Sequence, residues 1–228
     1  MATETAPQTG ALSDRRAARL AGALYILGTA AGVGSLAVTG GLEGPDYLAE
    51  AAELGDGLPV GAVLVLTMGL SLAFIPIVVF PILRRTSERL AVGYVVFRSG
   101  LETAFYLLTV LAWVALFRLD RDDAAAGTAE AARALGTADD VGTTLQTFVF
   151  VIGAAMFYWV LLRARLVPAW LSVWGLIALV PYVSVAALGV LDRLDPLSTT
   201  AVAMQMPLAF QEMVLAVWLI VRGFSRPS

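Results

Sequence analysis

The sequence predicts an all-α fold, a polytopic membrane helix bundle of six transmembrane helices with two short extracytoplasmic surface helices. Three observations carry that expectation. Hydrophobic residues make up 59% of the 228 residues and the mean hydropathy is +0.81, beyond the roughly 45–50% apolar content of soluble domains. The apolar residues gather into six runs of nineteen or more, each long enough at about 1.5 Å per residue to cross a bilayer. The arginines fall mostly in alternate connections, the bias that sets membrane orientation.

Residues 1–18 are polar, with Pro7, Gly10 and, with the adjoining Arg19, the basic trio Arg15, Arg16 and Arg19, and are expected to form a disordered cytoplasmic arm. The first span is 20–38; its length and the lack of an A-x-A junction favour a retained anchor over a signal peptide. Gly28, Gly32 and Ser35 make a small-residue stripe suited to close helix packing. Residues 40–57 hold five acids and no base, and Pro45 opens a short surface helix with Tyr47, Leu48, Ala51 and Leu54 on one side. The second span, 58–83, carries Pro76 and Pro81 near its end, and neighbours must satisfy the carbonyls these free. A basic turn, 84–89, leads into the third span, 90–119. Residues 118–140 hold six acids and three arginines; within them 124–135 is alanine-rich and reads as a second surface helix that Gly136 ends. The fourth span is 141–162, the fifth 166–191 with Pro168 and Pro181, and the sixth 201–221 with Pro207. The six spans make one domain, 19–223, and 224–228 is a cytoplasmic tail.

Placing the N-terminus in the cytoplasm puts ten arginines inside: Arg15, Arg16, Arg19, Arg84, Arg85, Arg89, Arg163, Arg165, Arg222 and Arg226. Only Arg118, Arg121, Arg133 and Arg193 are then outside. Both termini are therefore expected in the cytoplasm, with the chain multi-pass in the cell membrane and the lipid bilayer its first partner. Trp113 at the outer end, with Trp159, Trp170, Trp174 and Trp218 toward the inner ends, fits an aromatic belt. Cysteine and histidine are absent, which excludes disulfides, thiolate metal sites and every Ser-His-Asp arrangement. All fifteen basic residues are arginine, so there is no Schiff-base lysine. No phosphate-cradling loop, metal-ligand spacing or nucleophile elbow is present, so no cofactor, metal or nucleic acid is expected. The outer acids, among them Asp120, Asp122, Asp123, Asp139 and Asp140, offer oxygen ligands to a divalent cation, although a solvated outer face accounts for them.

The third span contains the chemistry. Arg98 and Glu102 lie in its middle, where a charge costs about 2.5–3.5 kcal/mol even on the lenient insertion scale. Arg98 is nine residues from Arg89, about 13 Å into the span, and Glu212 is ten from Arg222, about 15 Å into the sixth from the same face. The three are expected to meet. Tyr94, Phe105 and Tyr106 flank that face of the third span, and Gln211 and Gln146 are further polar neighbours. One guanidinium beside two carboxylates leaves a surplus negative charge, so one of Glu102 and Glu212 is expected to hold a proton, or the two to share it.

The chain resembles the bacterial and archaeal membrane family known as domain of unknown function 4386. Four stretches carry the resemblance: RLAGALYILGTAAG (19–32), FRSGLE (97–102), RLVPAWLSVWGLIALVPY (165–182) and MPLAFQEMVLAVWLIVRG (206–223). It implies six spans over 19–223 and marks Arg98, Glu102 and Glu212 as recurring polar positions, without implying a reaction. Three functional readings follow from the residues. In the favoured one the cluster binds a small or lipid-like ligand, with Arg98 holding an anionic group and a Glu carrying a proton. In the second it is a structural staple within a non-catalytic scaffold or partner-binding subunit. In the third, an acid/base enzyme, no nucleophile or metal set accompanies the acids.

Overall fold

The computed structural model describes residues 13–40, 46–121, 127–191, 193–194 and 198–225. Every described element is helical: α1 (Asp14–Thr39), α2 (Tyr47–Leu54), α3 (Gly57–Leu83), α4 (Glu88–Tyr94), a π-helical segment (Val95–Glu102), α5 (Thr103–Arg121), α6 (Thr128–Arg163), α7 (Ala169–Val190) and α8 (Thr199–Val221). The segments α4, π and α5 run on as one rod, Glu88–Arg121, so six helices are long and apolar enough to cross a membrane.

Local chemistry sets the ends. Ser13 accepts from the Arg16 N–H to start α1, Asp46 from Ala49 to start α2, Ser87 from Leu90 to start α4 and Ser198 from Ala201 to start α8, each satisfying an orphan donor. Gly40, at φ 69°, closes α1 in the left-handed conformation. The first helix thus begins at Asp14, inside the stretch expected to be an arm, because Ser13 supplies its cap. Residues 1–12, Pro45 and the acids Asp122 and Asp123 lie outside the described residues.

The six spanning helices close into a ring. In order around it stand α1, α3, the α4–π–α5 rod, α6, α7 and α8, each packing against its two neighbours, with α8 returning to α1. The third span and α8 are therefore on opposite sides. Arg15 donates to the Val221 carbonyl at 3.4 Å, so the start of α1 and the end of α8 share one face, called here the terminal face; Asp14 and Arg85 form a two-pronged surface pair there at 2.7 and 2.9 Å.

The far face departs from the expected pair of surface helices. The short helix α2 is present, with Tyr47 and Ala51 buried, but the second is continuous with the fourth span: α6 runs unbroken through Gly136. Glycine is needed there for space, since a Cβ at Gly136 would collide with the ring of Tyr47. The Tyr47 hydroxyl donates to Asp140, and burial, then this bond, pushes its pKa up to about 12. Asp139 accepts from Thr109 at 2.6 Å and from the Trp113 indole N–H at 2.8 Å. Trp113 is consequently buried, not part of a lipid-facing belt as its position had suggested; Trp159 and Trp170 at the terminal end are about half exposed. Bonded in this way, Asp139 and Asp140 tie α2, α5 and α6 together, and no group of acids able to hold a metal ion occurs among the described residues.

Candidate functional site

Arg98 and Glu102 fall inside the π segment. A π-helix bonds i→i+5 and is rare beyond a single-turn bulge, frequently at functional sites. Its effect here is geometric. Tyr94, Arg98, Glu102 and Tyr106 follow one another at four-residue steps, and in an α-helix each such step overshoots a full turn by about 40°, leaving Tyr106 about 120° from Tyr94. The wider π turn removes that drift and keeps all four in one column facing the ring interior. The neighbouring backbone accommodates it: Ser99 donates to the Ala73 carbonyl at 2.6 Å, one residue beyond the carbonyl that Pro76 leaves without its N–H. Gly153 of α6 comes so close that a Cβ would lie 3.2 Å from the Phe97 Cβ.

Within the column, Arg98 Nη1 donates to both oxygens of Glu102 at 2.9 Å, and Tyr106 donates to Glu102 Oε1 at 3.2 Å. Arg98 Nη2 faces Glu212 Oε1 across the ring at 3.8 Å. The guanidinium also lies over the Phe150 ring, 4.5 Å from its centroid, a cation–π contact. The side chains of Arg98 and Glu102 are 3% and 1% exposed, whereas Glu212 is 18% exposed. Glu212 shares the inward stripe of α8 with Leu208, Leu215 and Leu219, all at most 1% exposed.

Five of the six tyrosines surround these charges. Tyr25 on α1, Tyr94 on α4, Tyr158 on α6 and Tyr182 on α7 all interact electrostatically with Arg98 and Glu212, and Tyr106 with Arg98 and Glu102. Counted along their helices from the terminal-face arginines, Tyr25, Tyr94 and Tyr158 lie about 8 Å deep and Tyr106 about 25 Å deep, and Tyr182 lies about 20 Å along α7 from its start. The shallower three are 2%, 1% and 0% exposed, while Tyr106 and Tyr182 are only half-buried. The three tyrosines nearer the terminal face are thus more completely buried than the two deeper ones. Tyr94 stacks on Phe157, centroids 4.7 Å apart, and its buried hydroxyl lies beside that of Tyr25 without completing a hydrogen bond of full geometry.

Of the other expected neighbours, Gln211 is fully buried but turns away, accepting from Tyr158 at 2.8 Å and donating to the Leu171 carbonyl at 3.0 Å, which locks α8 to α6 and α7. Gln146 is half-buried on α6 and makes no hydrogen bond to the charges among the described residues. Tyr25, Phe150, Tyr158 and Tyr182 carry no signal in the sequence because they lie on α1, α6 and α7, away from the spans that hold the charges. The π segment did leave a trace, since a polar column at strict four-residue steps cannot stay on one face of an α-helix. Two shallow surface hollows, of about 540 Å³ beside Glu130, Arg133 and Val141 and about 350 Å³ beside Pro59 and Val63, do not reach the charges.

A family model described as domain of unknown function DUF4386 matches residues 20–223, nearly the whole chain, and the chain belongs to that family. No curated protein and no solved structure matches it.

Proposed function

We propose that this member of the family is a multi-pass protein of the cell membrane, with both termini cytoplasmic, that binds a small or lipid-like ligand between Arg98 and Glu212 while a proton moves on or off Glu212. One observation carries the reading: the strong and weak limbs of the cluster. The strong limb, Arg98 to Glu102, joins two residues of the same helix four apart, so it pins no helix to another. The limb that does cross the ring is loose, at 3.8 Å, and ends on the one partly exposed acid. A structural staple calls for the reverse, a tight interhelical bond that excludes solvent. Charged residues inside spans ordinarily mark ligand or ion pathways, and a limb with unspent bonding capacity is where a polar headgroup can insert. The ligand's headgroup would part Glu212 from Arg98 on entry from the far face, which the arginine distribution assigns to the outside.

Thermal unfolding of the purified chain in detergent, with hexanoate, hexylammonium and hexanol as probes, tests this. At least one probe is expected to raise the melting temperature in a concentration-dependent way, and Glu212→Gln to abolish the shift while the variant stays folded. Unfolding of Arg98→Gln and Glu212→Gln alone, with recovery in the double variant and no probe effect on the wild type, would establish the staple.

A further inference from the structure

We infer that Glu212 is a cation seat at which a proton and a monovalent cation compete. The inference rests on the ligand-site reading above and adds the sign of the ligand. Arg98 contributes one positive charge, and Glu102 already matches it: both of its oxygens accept from Nη1 and one also accepts from Tyr106, the bonding pattern of an ionised carboxylate. An anionic ligand could take Arg98 only by displacing this buried partner from its own helix. Glu212, by contrast, accepts no hydrogen bond among the described residues and only faces Arg98 at 3.8 Å. With the phenols neutral, the cluster carries one surplus negative charge, which a low-dielectric interior penalises heavily.

One bound cation removes that surplus. The groups facing Glu212 are Tyr25 from α1, Tyr94, Arg98 and Glu102 from the third span, Tyr158 from α6 and Tyr182 from α7; α3 contributes no titratable residue. Apart from Arg98 and Glu102, which cancel, these are phenols, whose oxygens and ring faces both suit a cation. The Tyr94 hydroxyl is a second pointer: 1% exposed, held by stacking on Phe157, and, among the described residues, with only the Tyr25 hydroxyl beside it and no hydrogen bond of full geometry. A buried hydroxyl short of a full hydrogen bond is destabilising, and a cation held by Glu212 would give its oxygen a stronger partner. The exchange balances: the Glu212 carboxyl releases its O–H proton, its carboxylate takes the cation, and the site stays neutral throughout. The shared chemistry is a single positive charge, supplied either by an alkali ion or by the ammonium head of an amphiphile.

The test uses the full chain in phosphatidylcholine nanodiscs, weakly buffered with a pH-sensitive dye. Sodium chloride, hexylammonium chloride and hexanoate as its N-methylglucamine salt are added separately, and melting temperature and proton release are read together. The expected result is that sodium or hexylammonium stabilises the chain and releases up to one proton, with apparent affinity falling about tenfold per pH unit on acidification wherever Glu212 is protonated. Which of the two acts identifies the source of the cation. Glu212→Gln should lose both effects and Glu212→Asp retain them. Tyr94→Phe should weaken binding several-fold without lowering the melting temperature, a separation that a packing role would not produce. Stabilisation by hexanoate alone, cation binding without proton release, or cation binding that persists in Glu212→Gln would overturn the cation seat and leave a ligand site standing. Silence of every probe would overturn both.

Discussion

Deleting Gly100 should leave the fold nearly intact, whereas deleting Leu107, seven residues further along the same rod, should not. Gly100 lies in the π segment, is exposed and has no atom within 4 Å of where a Cβ would stand, so its loss removes no side-chain contact. Removing one residue from a π segment lets it close as ordinary α-helix. Eleven α-helical steps then separate Tyr94 from Tyr106, leaving them about 20° apart, so the column and everything beyond it keep their facing. Arg98 and Glu102 become three apart, still neighbours on the helix, and the expected cost is within about 1 kcal/mol. In α5 there is no surplus residue to absorb. Loss of Leu107 would turn residues 108–121 by about 100°, taking Thr109 and Trp113 away from Asp139 and Leu116, 1% exposed, out of its packing. Two hydrogen bonds at about 1 kcal/mol each and two large side chains at about 1.5–3 kcal/mol each amount to roughly 5–8 kcal/mol, comparable to the whole stability of many proteins. Thermal melting in detergent measures the difference. The lack of native cysteine permits a second readout, the maleimide reactivity of Leu111→Cys against Ala112→Cys, which are 62% and 5% exposed as the native residues; the Gly100 deletion should preserve their order. If it melts as low as the Leu107 deletion, the π segment is not an inserted residue that aligns the column.

Arg98→Gln leaves Glu102 buried and unpaired, a loss expected at about 3–5 kcal/mol. Glu212→Gln severs only the loose limb and should cost less than about 1 kcal/mol; equal falls in melting temperature would contradict the asymmetry. Asp139→Ala removes the acceptor of both Thr109 and Trp113 and should cost about 1–3 kcal/mol, with Asp139→Asn milder in the same melts. Gln211→Leu deprives Tyr158 and the Leu171 carbonyl of their partner; at the roughly 0.6–1.7 kcal/mol measured for such bonds in bilayers, a double-mutant cycle with Tyr158→Phe should show non-additivity, and simple addition would speak against the bond. Since the Tyr47 hydroxyl is pushed up to about 12, its contribution to stability is complete below pH 10 and drains away as the pH rises toward 12; Tyr47→Phe should flatten that part of the melting profile.

What the amino-acid sequence determined by itself was whatever depends on the cost of leaving water, residue by residue. The six helices long and apolar enough to cross a membrane, and their order, follow from where apolar runs begin and end, because burial in hydrocarbon is penalised locally and adds up along a window. Caps such as Ser87 and Asp46, unread in the sequence, are local in the same sense, since each bonds within three residues of itself. Tertiary structure decided what depends on azimuth and on partners far along the chain. Gly136 looked like a helix end and is instead the seat of Tyr47, a distinction made only by the ring that packs on it. Trp113 has the composition of a belt residue until Asp139, on another helix, claims its indole. The π segment, the pairing of Arg98 with Glu102 in preference to Glu212, and the gathering of five tyrosines arise from six helices closing into a ring. Helix packing fixes rotations about each axis, and hydropathy, which measures depth alone, carries no information about them.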